Sequence, residues 1–303
     1  MRKLRNRLVR PSTRAWVEEA RRTEDFSLFD LIHGYVYSRW PYLYIGIGTG
    51  EHPLARLLGP VARWLLKVLP GPSSEVTFAD TYHGKVVPLE SATQLVTIDQ
   101  PVELRDLEQI IPYARARDIV LHNPDQIVAL DCPCRAVRSD PCEPLDVCLI
   151  VGEPFASFVG EHHPERSRRV TQGEAVEILQ AEAERGHVHH AFLKDAMLNR
   201  FYAICNCCAC CCGAMQAHRS GTPMLASSGY VGQVDAGQCT GCGTCVEFCQ
   251  FEAIAMHDGR AEVTVEDCMG CGVCVAKCSR GAMSLVRDPE RGMPLEIEAL
   301  LEG

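Results

Sequence analysis

The first 131 residues of this chain contain no cysteine, although the whole chain contains 18. Cysteines crowded into one half do not make a disulfide scaffold, and at 303 residues the chain is too long to need one. There is no uninterrupted apolar run of the roughly 20 residues that a membrane-spanning helix requires. The most apolar early stretch, Phe26 to Gly50, is broken by Asp30, His33 and Arg39. No secretory signal is legible, because no clean apolar run follows the basic start Met1-Arg2-Lys3-Leu4-Arg5-Asn6-Arg7. The twin arginine Arg21-Arg22 is followed by Glu24, Asp25 and Asp30, which does not suit an export signal. Positive charge is in the minority, with 30 Lys and Arg against 39 Asp and Glu. Nucleic acid is therefore not an expected partner, since phosphate contacts need clustered basic side chains. Nucleotide motifs are missing too. Gly46-Ile47-Gly48-Thr49-Gly50 is followed by Glu51 where a dinucleotide fingerprint needs its third glycine, and there is no P-loop.

What is present is a soluble composition, 47% apolar and 23% charged, in a chain long enough for about two domains. Residues 1–22 carry eight Lys and Arg against Glu18 and Glu19, and read as a solvated arm or helix face, with an electrostatic patch for an acidic partner or an anionic membrane as the sharper reading. Leu54, Leu57, Leu58, Val61, Trp64, Leu65, Val68 and Leu69 recur at helical spacing, with Arg56, Arg63 and Lys67 on another face. Such a helix packs on a core or a partner, or lies on a membrane surface. Leu95–Ile98 and Gln126–Leu130 read as short buried strands, and Leu104 to Leu121 as a helix broken at Pro112 and closed by Asn123-Pro124. The second strand runs into Asp131-Cys132-Pro133-Cys134. Residues 171–186 predict a helix, with a Thr171/Glu174 capping box and Gly186 as its stop. The tail after Arg287 contains Pro289, Gly292 and Pro294, and is expected to be partly mobile.

The strongest signal is an internal repeat. Cys239-x2-Cys242-x2-Cys245-x3-Cys249 recurs 29 residues later as Cys268-x2-Cys271-x2-Cys274-x3-Cys278. Gly241, Gly243, Val246 and Ala253 recur with it as Gly270, Gly272, Val275 and Ala282. This is the spacing of a bacterial-type ferredoxin with two [4Fe–4S] clusters. Three close thiolates wrap three irons of one cubane, and the fourth cysteine of each run reaches the other cluster. Cys239, Cys242, Cys245 and Cys278 are thus expected at one cluster, and Cys268, Cys271, Cys274 and Cys249 at the second. Two zinc sites are the alternative, but this spacing is not that of zinc fingers. The proline that usually follows the fourth cysteine is replaced by Gln250 and Ser279.

Ten cysteines remain: Cys132, Cys134, Cys142 and Cys148 in one group, and Cys205, Cys207, Cys208, Cys210, Cys211 and Cys212 in another. The second group cannot aim six thiolates at one metal, because some must face opposite sides of the backbone. A partner from the first group is expected. At least one further Fe–S cluster is the leading reading, zinc held by the first group the alternative, and reduced structural or reactive cysteines the third. His162-His163 and His187-x-His189-His190 read as surface residues, with metal ligation or proton transfer as the sharper reading.

Residues 230–287 resemble the two-[4Fe–4S] bacterial ferredoxin domain. The longer stretch from Asp131-Cys132-Pro133-Cys134-Arg135 to Ile204-Cys205-Asn206-Cys207-Cys208-Ala209-Cys210-Cys211-Cys212 is similar to a group of bacterial 4Fe–4S dicluster-domain proteins. Members of that group combine both segments with a C-terminal ferredoxin. The resemblance implies a cytoplasmic redox protein and no particular substrate.

The expected fold is α+β. A mixed N-terminal and middle domain with the extra cysteine clusters precedes a compact ferredoxin-like domain, of βαββαβ type in that family. The expected organisation is a basic arm and amphipathic region at 1–72, an α+β domain at 73–229, the ferredoxin domain at 230–287 and a tail at 288–303. The expected function is electron transfer through two [4Fe–4S] clusters and a further metal centre. An oxidoreductase with its active centre at the middle cysteines and a thiolate-based redox or metal sensor are the alternatives. Residues 231–303 hold 12 acidic and 5 basic side chains, which suits docking on basic patches of redox partner proteins. Peripheral membrane contact is expected, if anywhere, through residues 54–69.

Overall fold

The computed structural model describes residues 9–55, 82–113 and 117–302. In chain order its first elements are α1 (Pro11–Ala20), α2 (Leu28–Arg39), α3 (Pro41–Gly48), β1 (Tyr82–Val87), α4 (Leu89–Thr97), β2 (Val102–Leu104) and β3 (Ile119–Leu130). Then come α5 (Pro133–Ala136), β4 (Cys148–Glu153), α6 (Phe155–His162), β5 (Ser167–Val170), α7 (Gln172–Glu184), β6 (Val188–Lys194) and β7 (Arg200–Cys207). The remainder is α8 (Gly213–Arg219), β8 (Leu225–Ala226), β9 (Tyr230–Val234), α9 (Thr244–Glu247), β10 (Ile254–His257), β11 (Arg260–Val263), α10 (Val273–Lys277), β12 (Met283–Arg287) and α11 (Ile297–Glu302).

One eight-stranded sheet organises the larger part, in the order β2-β3-β4-β7-β6-β1-β8, with β5 also paired to β3. Its centre, β6 and β7, is covered on both faces. This is why Phe201-Tyr202-Ala203-Ile204 is a continuous apolar run rather than an alternating one. Alternation sorts the side chains into two cores. Val188 and Phe192 of β6 join Tyr202, Cys148 and Cys207 on one face, whereas Ala191 and Leu193 join Ile204, Leu149 and Leu179 on the other. The first face receives α1, α2 and α6, and the second receives α4 and α7.

Several expectations need correction. Leu95–Ile98 is not a strand but the end of α4, whose buried Ala92, Leu95 and Val96 stand at i, i+3 and i+4. A four-residue apolar run is too short to show its period by itself. Residues 104–121 form no helix among the described residues. β2 ends at Leu104, turns follow, and β3 has begun by Ile119. Arg105 pairs with Asp118 and Arg117 with Glu108, and these ion pairs hold the loop. Asn123-Pro124 does not end an element. It lies in β3 where the register shifts between His122 and Ile127, with Asn123 at φ +49°. Thr171 caps α7 in a capping box with Glu174, and Gly186 follows at φ +82°.

From Val9 onward the basic segment is a helix docked by one face, while Arg10, Arg21 and Arg22 stay exposed. Trp16 is 2% exposed and meets Phe155 and Phe158 edge-on at 5.5 and 4.7 Å. Arg10 donates to the Glu161 carbonyl, and the Ser12 amide donates to the Glu161 carboxylate at 2.9 Å. The stretch Phe26 to Gly50 forms α2 and α3, and no described helix is long and apolar enough to cross a membrane. The amphipathic stretch 54–69 lies outside the described residues from Arg56 onward. The segment after Arg287 is packed: Leu295 and Ile297 are buried in the second core, and the Met293 carbonyl accepts from Lys85 Nζ at 2.8 Å.

Trp16→Ala should destabilise the protein by about 3–5 kcal/mol in urea unfolding, the usual cost of emptying a large aromatic site. A loss under about 1 kcal/mol would show that α1 is not part of the core.

Candidate metal centres

The ten middle cysteines separate into six and four. On β7, Cys205 and Cys207 are two residues apart and share a face, while Asn206 points to the other. Cys148 of β4 lies opposite Cys205, and Cys205 in turn lies opposite His190 of β6. Cys132 and Cys134 flank Pro133 where β3 gives way to α5, and Cys212 stands at the start of α8. Their six thiols meet in a chain: Cys205 with Cys148, Cys148 with Cys132, Cys132 with Cys134, Cys134 with Cys212, and Cys212 with Cys207. All six line one largely apolar cavity of about 70 Å³.

The protonated form is favoured at Cys132, Cys134, Cys148, Cys207 and Cys212. Hydrogen bonding with Cys134 and burial push Cys132 up to about 12. Cys207 gains a lowering hydrogen bond from Cys212, but burial and the neighbouring Cys205, Cys132 and Cys134 outweigh it and hold it at about 12. Like charges cannot accumulate in so small a dry space without a cation. Metal binding would have to displace these protons.

Arg135 is a fixed cation at this cavity. It is 1% exposed and lines the cavity beside Cys132 and Cys208. Its guanidinium donates to Glu182 Oε2 at 2.5 Å, to the Asn206 carbonyl at 2.9 Å and to the Pro144 carbonyl at 2.6 Å. His187 Nδ1 donates to the same carboxylate at 2.6 Å. Burial alone would raise the Glu182 pKa, but the His187 hydrogen bond and Arg135 outweigh it and hold the carboxyl below its ordinary range. Asn206 accepts from His189 Nδ1 at 2.6 Å and donates to the Val147 carbonyl at 2.7 Å. On the far wall the hydroxyls of Tyr37 and Tyr202 are 2.7 Å apart, and Lys194 Nζ lies 5.1 and 5.0 Å from the ring centres of Tyr37 and Tyr82.

The histidines are not surface residues. His162, His187, His189 and His190 are all buried. Burial pushes His189 down to about 4 and His190 down to about 3, so both are neutral near pH 7. A polar sequence around them concealed that β6 is a central strand.

The other four, Cys142, Cys208, Cys210 and Cys211, bring their sulfurs within 4.8 Å of one another. Cys142–Cys210 is 3.1 Å and Cys210–Cys211 is 3.6 Å between sulfurs. Cys210 is exposed, whereas Cys208 and Cys211 are buried and also line the six-thiol cavity.

In the C-terminal part the repeat becomes β9-α9-β10-β11-α10-β12, with β9 antiparallel to β12 and β10 to β11. Cys239, Cys242, Cys245 and Cys278 line one cavity of about 20 Å³, and Cys249, Cys268, Cys271 and Cys274 line a second of the same size. The repeated glycines are needed for shape. A Cβ on Gly241 would stand 2.1 Å from the Gly259 carbonyl, and one on Gly270 would stand 2.1 Å from the Tyr230 carbonyl. Backbone amides of Ala253, Ala282 and Gly232 donate to the sulfurs of Cys249, Cys278 and Cys268 at 3.3, 3.2 and 3.3 Å.

The two cavities have different neighbours. Cys242 is exposed. Cys271, Phe248 and Phe251 pack instead against the core that holds the six thiols, to which Met269 and Val273 belong. Gln250 accepts from the Ala209 amide at 2.8 Å, within the dense cysteine segment itself, and Lys277 donates to the Glu184 carbonyl. Sequence reasoning missed Arg135, Glu182 and the tyrosines as site residues, since they converge from distant segments. Gln250 did leave a signal, as the residue standing where a proline is usual.

Glu182→Ala would strand the Arg135 charge in the core. It should cost about 3–5 kcal/mol in denaturant unfolding of the metal-loaded protein. A neutral result would show that Arg135 has another counter-charge.

Residues 232–279 match the family model of a 4Fe-4S dicluster domain. No curated protein matches the chain. The C-terminal cysteines thus lie in an iron–sulfur domain of the 4Fe-4S dicluster type, joined to an α+β part that carries ten more.

Proposed function

We propose that this is an iron–sulfur electron-transfer protein with two [4Fe–4S] clusters and further metal at the middle cysteines. Cys239, Cys242, Cys245 and Cys278 would hold the outer cluster, and Cys268, Cys271, Cys274 and Cys249 the inner one. The observation that carries this reading is the pairing of each cysteine set with its own cavity, one beside solvent and one against the six-thiol core. A cubane at each would take up and release one electron at a time. Chain residues supply the rest. Amide donors at Cys249, Cys268 and Cys278 stabilise sulfur charge, and Phe248 and Phe251 keep water from the inner cavity. Partners with basic patches fit the acidic surface of this domain, and the 18 unpaired thiols suit a reducing compartment.

A second reading, an oxidoreductase with its active centre at Cys132, Cys134, Cys148, Cys205, Cys207 and Cys212, is favoured by one observation. The Tyr37–Tyr202 hydroxyl pair and Lys194 bring protons to the wall of that cavity, and a simple carrier needs neither.

Cys242→Ala should lower iron and labile sulfide by about four each per chain and remove part of the reduced EPR signal. Cys134→Ala and Cys207→Ala should each lower metal content while sparing the ferredoxin share. Unchanged iron and EPR in Cys242→Ala would contradict the outer cluster. A full metal load in both middle variants would leave those thiols as structural groups.

A further inference from the structure

We infer that Cys142, Cys208, Cys210 and Cys211 bind a single divalent metal ion, zinc or ferrous iron, as a closed tetrathiolate site distinct from any cluster. The reading is independent of the ferredoxin assignment, and divides the ten middle cysteines differently from the sequence groups.

Spacing decides the type of centre. Four sulfurs around one ion at about 2.3 Å stand about 3.8 Å apart at the corners of a tetrahedron. These four already lie within 4.8 Å of one another, with pairs at 3.1 and 3.6 Å. A cubane places each thiolate on a separate iron, and a two-iron cluster places them in two separated pairs, so both need wider sets. The same chain shows the contrast. Among the described residues, no three of the eight ferredoxin sulfurs gather within that distance.

Chain connectivity fits a closed site. Cys208, Cys210 and Cys211 come from one tight turn after β7, and Cys142 comes from the irregular segment between α5 and β4. An ion here would tie that segment to the turn. Two net negative charges would remain on a divalent tetrathiolate, and cations are in place for them. Arg219 donates to the Ala209 carbonyl at 3.1 Å, Arg138, which also pairs with Glu51, donates to the Cys211 carbonyl at 3.2 Å, and Arg135, itself paired with Glu182, lies beside Cys208. Because Cys208 and Cys211 also line the six-thiol cavity, the ion would fix part of that cavity's wall. Four protein ligands leave no open position, so the role is structural.

The test compares metal with sulfide in anaerobically purified full-length protein. Cys142→Ser and Cys210→Ser should each lose about one zinc or iron per chain with no loss of labile sulfide, since a mononuclear site contains none. Loss of iron together with an equal amount of sulfide would overturn the inference in favour of a cluster, and no loss at all would overturn it outright. Should either variant fail to fold, protein produced in cobalt-supplemented medium tests the unaltered chain. Intense tetrahedral thiolate–cobalt bands, at about one cobalt per chain, are expected, and their absence counts against the site. Failure of the ferredoxin reading would instead show as missing sulfide in the unaltered protein.

Discussion

A guanidinium shielded from water must be paired on the spot or it cannot stay in the fold. Arg135 meets that constraint with Glu182, two carbonyls and the thiols of Cys132 and Cys208 around it. The pairing fixes several elements at once. Glu182 comes from α7, Asn206 from β7 and Pro144 from the loop before β4, so one side chain sets how the cysteine-bearing segments converge. It also brings positive charge to the place where sulfur is most concentrated. Buried thiols such as Cys132 and Cys207 resist ionisation, and fixed cations or a bound metal favour the thiolate.

A second constraint is the attachment of the ferredoxin part. Its inner cavity faces the sheet domain through Phe248, Phe251 and Cys271, while Gln250 bonds to Ala209 in the turn that also supplies Cys208 and Cys210. In the bacterial ferredoxin pattern that position is a proline, which has no side-chain acceptor. Where that pattern has a turn-stiffening proline, this chain has Gln250, which makes a contact between the two cysteine systems. An outer cavity beside solvent, an inner one against the core and a six-thiol cavity beyond form an ordered series, and this order underlies the electron-transfer reading.

Legibility in the sequence followed the range of the interactions. The cysteine repeat, its glycines and the capping box of α7 are local, and their spacing carries their geometry. The β7 cysteines were half legible. Alternation implies that Cys205 and Cys207 share a face, but nothing local says that Cys148 and Cys132 will meet them there. Leu95–Ile98 misled because four apolar residues fit a strand and the last turn of a helix equally. The histidines misled for the opposite reason, as polar residues in a central strand that tertiary structure buries. Arg135 and Glu182 are 47 residues apart, and no periodicity links them.

The most direct measurement is the stoichiometry of iron, zinc and acid-labile sulfide per chain in anaerobically purified protein. The account predicts at least about eight labile sulfide, from the ferredoxin pair, together with metal at the middle cysteines that includes about one ion in excess of sulfide. About eight iron with eight sulfide and no other metal would contradict it, and would leave the ten middle cysteines as reduced thiols in a protein core.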